Sequence, residues 1–362
     1  LCDTLNKRTL KKNKETMRKH FLIFTLLIFN VSVFAQKKQN KKRTPPPIKK
    51  EYEIPPVIQQ ESRTQNEMEY HIVAPMSSLT RINATKTNGE EIKIDNINEL
   101  KTIDFSKIKK LNIETSLSDR FLENEILEKI LNETTQLEEL KIRNFTIEKF
   151  PEIKGINKHL KVLSLEKANL KIIPSSVSNL IALEYFSLDY NFIEELPTSF
   201  SQLKNLKKLS LQNVEFSEFP KEIFDLNKLS VLYISGNYKG KNRIKEIPDN
   251  FYSLSELKEF TVKDAGLSTL PKSISTLTKL EKVDFSSNQF EDFPEVLAVI
   301  PSLEFVPFTN NPLNWEKFLK SIKSIKWRGL FFLNGTGFSK KQYEEIQKIL
   351  PKIDVYYDEM ND

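Results

Sequence analysis

Apolar residues recur along most of the chain as Leu-x-x-Leu-x-Leu, in units that begin at Leu137, Leu160, Leu183, Leu206, Leu229, Leu257, Leu280 and Leu303. Six of the seven intervals are 23 residues, and the remaining one, Leu229 to Leu257, is 28. The second and third positions stay apolar throughout, from Leu140 and Ile142 to Val306 and Phe308. Alternation over so short a run predicts one strand per unit, buried on one face. Further into each unit an apolar residue precedes proline, at Phe150-Pro151, Ile173-Pro174, Leu196-Pro197, Phe219-Pro220, Ile247-Pro248, Leu270-Pro271 and Phe293-Pro294. Proline lacks an N–H and blocks a long helix. Apolar residues return three and six positions later, as at Val177 and Leu180 or Phe200 and Leu203, which predicts a tight turn on the far side of each strand.

One strand and one turn cannot bury an apolar face alone, so the units must stack. On these residues, positions 100–357 resemble a leucine-rich repeat protein of the 23-residue type, similar to bacterial secreted members of that family, with a Leu-Pro-x-x-Ile-x-x-Leu convex segment. The resemblance implies an α/β solenoid: a curved leucine-rich repeat horseshoe with a parallel concave sheet and short convex turns or helices. It also implies an asparagine eight residues into each unit. Asn191, Asn237, Asn288 and Asn311 fill that slot, while Phe145, Ala168, Val214 and Ala265 replace it. The turns of those last four units then need other hydrogen-bond partners.

The ends of such a stack need caps. Residues 65–107, with Asn88-Gly89 as a turn signal, read as an N-terminal cap. Residues 108–357 read as the solenoid with its C-terminal cap, and 358–362 as a tail. Ile108, Leu111 and Ile113 fit a first strand, and residues 118–131 read as a helix with Phe121, Leu122, Ile126 and Ile130 on its apolar face. Further strands are expected around Trp327, Leu330 and Phe332, then Leu350, Ile353 and Val355. Residues 315–325 and 339–350 read as helices, the second capped by Ser339.

Ahead of the repeats, Arg18 and Lys19 precede an apolar run ending in Val33, Phe34 and Ala35, so 17–35 reads as a cleaved signal peptide and 1–16 as untranslated. The alternative is a membrane anchor, but the run is about 14 residues against the roughly 20 a bilayer requires. Residues 36–64 are basic and carry Pro45, Pro46, Pro47, Pro55 and Pro56, a composition expected to form a disordered linker or to touch an anionic surface. Residues 1–64 carry about +10, more than the whole formal charge of +6. What remains is mildly acidic, about −4, which argues against a nucleic-acid-binding body. The one cysteine, Cys2, precedes the leader, so the expected mature chain has no disulfide and no thiol nucleophile, a pattern that points to a bacterial product.

Candidate chemistry is sparse. The histidines are His20, His71 and His159, with no pair at metal-ligand spacing. There is no Gly-x-Ser-x-Gly elbow and no phosphate loop, and the glycines of residues 334–337 read as a turn. The expectation is therefore no catalytic residue, no cofactor, no metal and no small-molecule substrate.

Binding is the better prospect. Residues between the strand leucines face out of the sheet and align into columns across neighbouring units. In the middle units the columns bring together Tyr185, Asp189, Tyr190, Lys208, Gln212, Val231, Tyr233 and Lys263, which combine aromatic anchors with polar specificity groups. Strand propensity alone also accounts for tyrosine here. The five-residue insertion, with Tyr238, Lys239, Lys241 and Arg243, reads either as a basic finger beside that face or as a tolerated loop. The reading that follows is a secreted, non-catalytic module that binds a protein partner on the concave face. The alternative is a structural cell-envelope protein tethered by its basic linker.

Overall fold

A computed structural model describes residues 80–117, 120–236 and 243–358, all within the compact unit His71–Asp362. The expected leader and linker, His71, Asn237 and most of the insertion lie outside the described residues.

In chain order the strands and helices are β1 (Thr80–Lys86), β2 (Glu91–Ile94), β3 (Ile108–Thr115), β4 (Phe121–Leu122), α1 (Asn124–Glu133), β5 (Glu139–Arg143), β6 (Thr146–Ile147), β7 (Val162–Glu166), β8 (Tyr185–Ser187), β9 (Lys208–Val214) and β10 (Val231–Gly236). They continue as β11 (Glu259–Lys263), β12 (Lys282–Asp284), α2 (Glu295–Ala298), β13 (Phe305–Pro307), α3 (Trp315–Ser321), β14 (Gly329–Phe332), α4 (Lys340–Ile349) and β15 (Ile353–Tyr356). Thirteen of the strands form one sheet in the order β15-β14-β13-β12-β11-β10-β9-β8-β7-β5-β3-β1-β2. From β3 to β15 neighbouring strands run parallel, and β1 pairs antiparallel with both β2 and β3. The repeat register carries directly into pairing: Leu140 opposes Leu163, Phe186 opposes Leu209, and Leu232 opposes Phe260. Parallel strands about 4.8 Å apart on one side and bulkier turns on the other bend this stack into a curved leucine-rich repeat solenoid.

Four of the proline turns form as short 3-10 helices. Pro174, Pro197, Pro220 and Pro271 sit immediately ahead of Ser175–Asn179, Thr198–Gln202, Lys221–Asp225 and Lys272–Thr276, with φ between −66° and −69°. That is the φ the pyrrolidine ring imposes, so the turn is pre-set at its first residue. Val177, Phe200, Ile223 and Ile274 then point inward from these turns and are fully buried.

Phenylalanine fills the space between sheet and turns. Ring contacts run from Phe251 to Phe260 (5.2 Å) and Phe285 (5.6 Å), then through Phe290, Phe308, Phe293 and Phe331 to Trp327. Such edge and offset contacts add to the stabilisation that burial of each ring provides.

The asparagine slot behaves as the resemblance implies. Asn191 Nδ2 donates to the carbonyls of Leu165 and Leu188, and its Oδ1 accepts from the N–H groups of Ala168 and Leu170. Asn288 does the same with Val262, Phe285, Gly266 and Leu267. The turns at Ala168 and Ala265, which lack an asparagine of their own, are satisfied by that of the following unit. At the Phe145 turn, Asn144 reaches the carbonyls of Thr115 and Leu117 instead.

Two local expectations are corrected. The helix read at 118–131 forms only as α1, preceded by β4, whose Phe121 is 71% exposed while Leu122 is buried. Phe121 pairs with Thr146, so the chain is held extended there by β6 before it can coil. The inward residues here are Phe331 in β14 and Leu333 just past its end, not Leu330 and Phe332. Four consecutive apolar residues carry no period-2 signal, and Gly329 sets the offset. Its φ is +145°, and a Cβ there would lie 2.1 Å from the Glu304 carbonyl oxygen.

At the C-terminal end α4 carries a capping box between Ser339 and Gln342. The Tyr343 hydroxyl donates to the Leu333 carbonyl at 3.0 Å, fixing this helix against the last strands.

Candidate partner-binding face

The outward side of β7 to β12 is a polar surface in which most groups already hold one another. Its centre is Lys208 on β9, whose ammonium lies 5.3 Å from the ring centroids of both Tyr185 on β8 and Tyr233 on β10. Parallel pairing places the three side by side, because Lys208 opposes Tyr185 on one flank and Val231, two residues before Tyr233, on the other. The Tyr233 hydroxyl donates to Glu259 Oε2, and Glu259 Oε1 is paired with Lys282 at 2.8 Å. Burial pushes the Glu259 carboxyl up, yet Lys282 and the tyrosine hydroxyl outweigh burial and hold it below the usual range. Burial raises the Tyr233 phenol, and its bond to Glu259 raises it further. This Tyr185–Lys208–Tyr233–Glu259–Lys282 chain spans five strands.

A second cluster lies toward the C-terminal ends of β7 to β9. Asp189 is 8% exposed and accepts from Ser210 Oγ at 2.7 Å, from the Gln212 backbone N–H at 2.7 Å and from Gln212 Nε2 at 3.3 Å. Burial pushes its carboxyl up to about 6, with these donors opposing and the nearby Glu166 charge adding to the rise. Glu166 Oε1 accepts from Ser164 Oγ at 2.9 Å and Ser187 Oγ at 3.3 Å, and its other oxygen is 3.7 Å from Arg143 Nε. The Tyr185 phenol links the two clusters: burial raises it, and the charges of Glu166 and Asp189 raise it further.

The residues singled out from the columns are thus distributed as follows. Lys208 contacts both Tyr185 and Tyr233, and half-buried Val231 stands beside Lys208 on β10, two residues before Tyr233. Asp189 and Gln212 touch in the second cluster. Tyr190 sits in the turn after β8 with φ +59°, its ring under the Lys167 ammonium at 5.3 Å. That left-handed conformation recurs at Asn144, Lys167, Asn213, Asp264, Ser287 and Asn310, seven residues into their units, so the turn itself requires it. Lys263 is engaged apart from both clusters, 3.5 Å from Asp284. Glu166, Ser210 and Glu259, which complete the contacts, stand in the same columns and were marked only by adjacency there.

Among the described residues no three His, Cys, Asp or Glu side chains come together in a group able to hold a metal ion. No helix among them is long and apolar enough to cross a membrane. His159 lies exposed in the turn before β7, where its backbone N–H donates to Asn157.

No family model matches the sequence, and no curated protein does. Among solved structures, the chain is similar to a leucine-rich repeat protein of Leptospira interrogans, at 21% identity over 69% of this chain and 72% of the other, with a TM-score of 0.39. An internalin of Listeria monocytogenes is similar at 15% identity over 76% and 91% of the two chains, with a TM-score of 0.43. By its own strand register, proline turns and asparagine contacts, the described chain is a leucine-rich repeat solenoid.

Proposed function

We propose that this chain is a secreted, non-catalytic module that binds a protein partner on the outward face of β7 to β12. The observation that carries the reading is the Tyr185–Lys208–Tyr233 stack. Two half-buried aromatic rings are held rigid by a lysine between them and by the bond from Tyr233 to Glu259. Rigid aromatic anchors beside fixed polar groups lose little conformational entropy on docking, which is what a binding hot spot requires. The carboxylates of this face are engaged in hydrogen bonds or ion pairs, an arrangement suited to complementarity and not to turnover. Export rests on the leader-like residues 17–35, and residues 36–64 are read as the tether between the export signal and the repeats.

The test is capture. The purified chain and a Tyr185→Ala/Tyr233→Ala variant are each incubated with surface-labelled proteins from the native environment, crosslinked, and the products identified by mass spectrometry. The proposal expects a discrete partner with the parent chain and at least tenfold less of it with the variant. Equal capture by both moves the binding site off this face. Loss of capture only when 36–64 is deleted favours the tethered structural role instead.

A further inference from the structure

We infer that two copies of this chain pair through the outer edge of β2, in an antiparallel register centred on Ile92. The two ends of the thirteen-stranded sheet are finished differently. At β15 the Leu333 N–H donates to the Tyr356 carbonyl, so Asp354 and Tyr356 turn their backbone groups toward β14, and Ile353 and Val355 turn theirs outward. Gln347 of α4 stands there in place of a further strand. Its Nε2 donates to the Ile353 carbonyl at 2.9 Å, and its Oε1 accepts from the Val355 N–H at 3.5 Å. β2 ends the sheet on the other side. Among the described residues no strand pairs with its outer edge, and no side chain takes the place that Gln347 takes at β15.

The backbone groups on that edge follow from the hairpin. Lys86 N–H donates to the Glu90 carbonyl at 2.8 Å, and Ile92 and Ile94 oppose Ala84 and Ile82. Alternate residues of an antiparallel strand bond to a given neighbour, so Ile92 and Ile94 bond to β1 while Glu91 and Lys93 present N–H and C=O outward. A second β2 arriving antiparallel bonds only when its own outward residues meet these, which places the two-fold axis on a residue and not between two. Centred on Glu91, the axis sets glutamate against glutamate. Centred on Lys93, it sets lysine against lysine and Glu91 against Asp95. Centred on Ile92, it sets Glu91 of each copy against Lys93 of the other, with two backbone hydrogen bonds in each pair. Opposite charges directly across strands stabilise the pairing and like charges destabilise it. Charge on an edge strand ordinarily bars pairing. Here the alternating signs bar the neighbouring registers and admit one.

The side chains fit that register. Lys93 is paired within its own strand to Asp95 at 3.3 Å, with both side chains more than 70% exposed, a contact worth little in water. It is therefore free to turn to Glu91 of the second copy. Ile92 is half-buried against the core of its own chain, and the axis brings it beside its counterpart as a close, non-hydrogen-bonded pair, covering apolar surface at the end of the sheet. β1 already runs antiparallel to β2, so the added strand continues the ladder. The face of β7 to β12 lies beyond β1, β3 and β5 and stays open to a protein partner.

The test is sedimentation velocity on the purified chain at concentrations up to about 0.5 mM, the range in which so short an edge contact associates. The parent chain should show a concentration-dependent dimer. Lys93→Glu and Glu91→Lys each set like charges face to face and should weaken it at least tenfold. Glu91→Lys/Lys93→Glu reverses both signs and should restore parental association to within about threefold. The two single variants, mixed, should form a heterodimer although neither pairs with itself. Both positions are exposed, and far-UV circular dichroism reports whether each variant is folded. A parent chain that is monomeric throughout overturns the inference. So does a dimer indifferent to all three variants, and so does a doubly reversed variant that stays monomeric.

Discussion

Asp189 shows what a single residue on this face costs the fold. Its carboxyl titrates at about 6, above the ordinary 3.8, because burial disfavours its charge. A group whose folded-state value is raised stabilises the fold fully below its ordinary value, and that contribution is lost as pH rises through the folded value. The window is therefore pH 4 to 6, and ionisation above it costs on the order of 2–3 kcal/mol. Asp189→Asn keeps an acceptor for Ser210 and Gln212 while removing the charge. Chemical denaturation at pH 7.5 should find the variant more stable than the parent by about 1–2 kcal/mol, with the difference gone at pH 4. A parent chain more stable than the variant at pH 7.5 contradicts this account of Asp189. The columns of the sequence placed Asp189, Ser210 and Gln212 on one face, but not the hydrogen bonds that join them. Which outward side chains bond depends on their rotamers across strands, and no one-dimensional spacing encodes that.

Elements formed where the sequence carried a period, and departed from it where neighbouring contacts decided. The repeat strands from β5 to β13, β6 apart, and the turns after Pro174, Pro197, Pro220 and Pro271 follow the repeat spacing, which is 23 residues except for the 28 between the units of β10 and β11. At Leu330 to Leu333 four apolar residues in succession left two registers open, and the close approach of Gly329 to Glu304 chose between them. At Phe121 the pairing of β4 with β6 overrode an apolar spacing that suited a helix. The asparagine slot makes a sharper test of how elements are joined. Asn288 satisfies four backbone groups, donating to Val262 and Phe285 and accepting from Gly266 and Leu267. Asn288→Ala strands these buried groups and should cost about 3 kcal/mol in denaturant unfolding. Asn288→Asp should cost no less, because a carboxylate cannot donate to the two carbonyls. Retained stability in Asn288→Asp would show that the carbonyl contacts contribute little.

At the scale of the whole molecule, the solenoid exists because no unit can bury its strand alone, and the ring contacts from Phe251 to Trp327 bind successive units into one core. The same stacking lays single residues from successive units side by side on the outer face, so a surface is built by repetition and then individualised by tyrosine, lysine and carboxylate at chosen units. Architecture was legible because repetition multiplies a weak signal. The face was legible only as a list of neighbours, since each outward position is specified once. The central claim is that this face, and not the turn side, meets the partner. The direct measurement is site-specific photocrosslinking with a photoreactive residue placed either at Val231, half-buried beside Lys208 and two residues before Tyr233, or at Thr198, exposed in a 3-10 turn on the opposite side. The account predicts a discrete partner adduct from position 231 and none from 198. An adduct from 198 alone, or equal adducts from both, contradicts it.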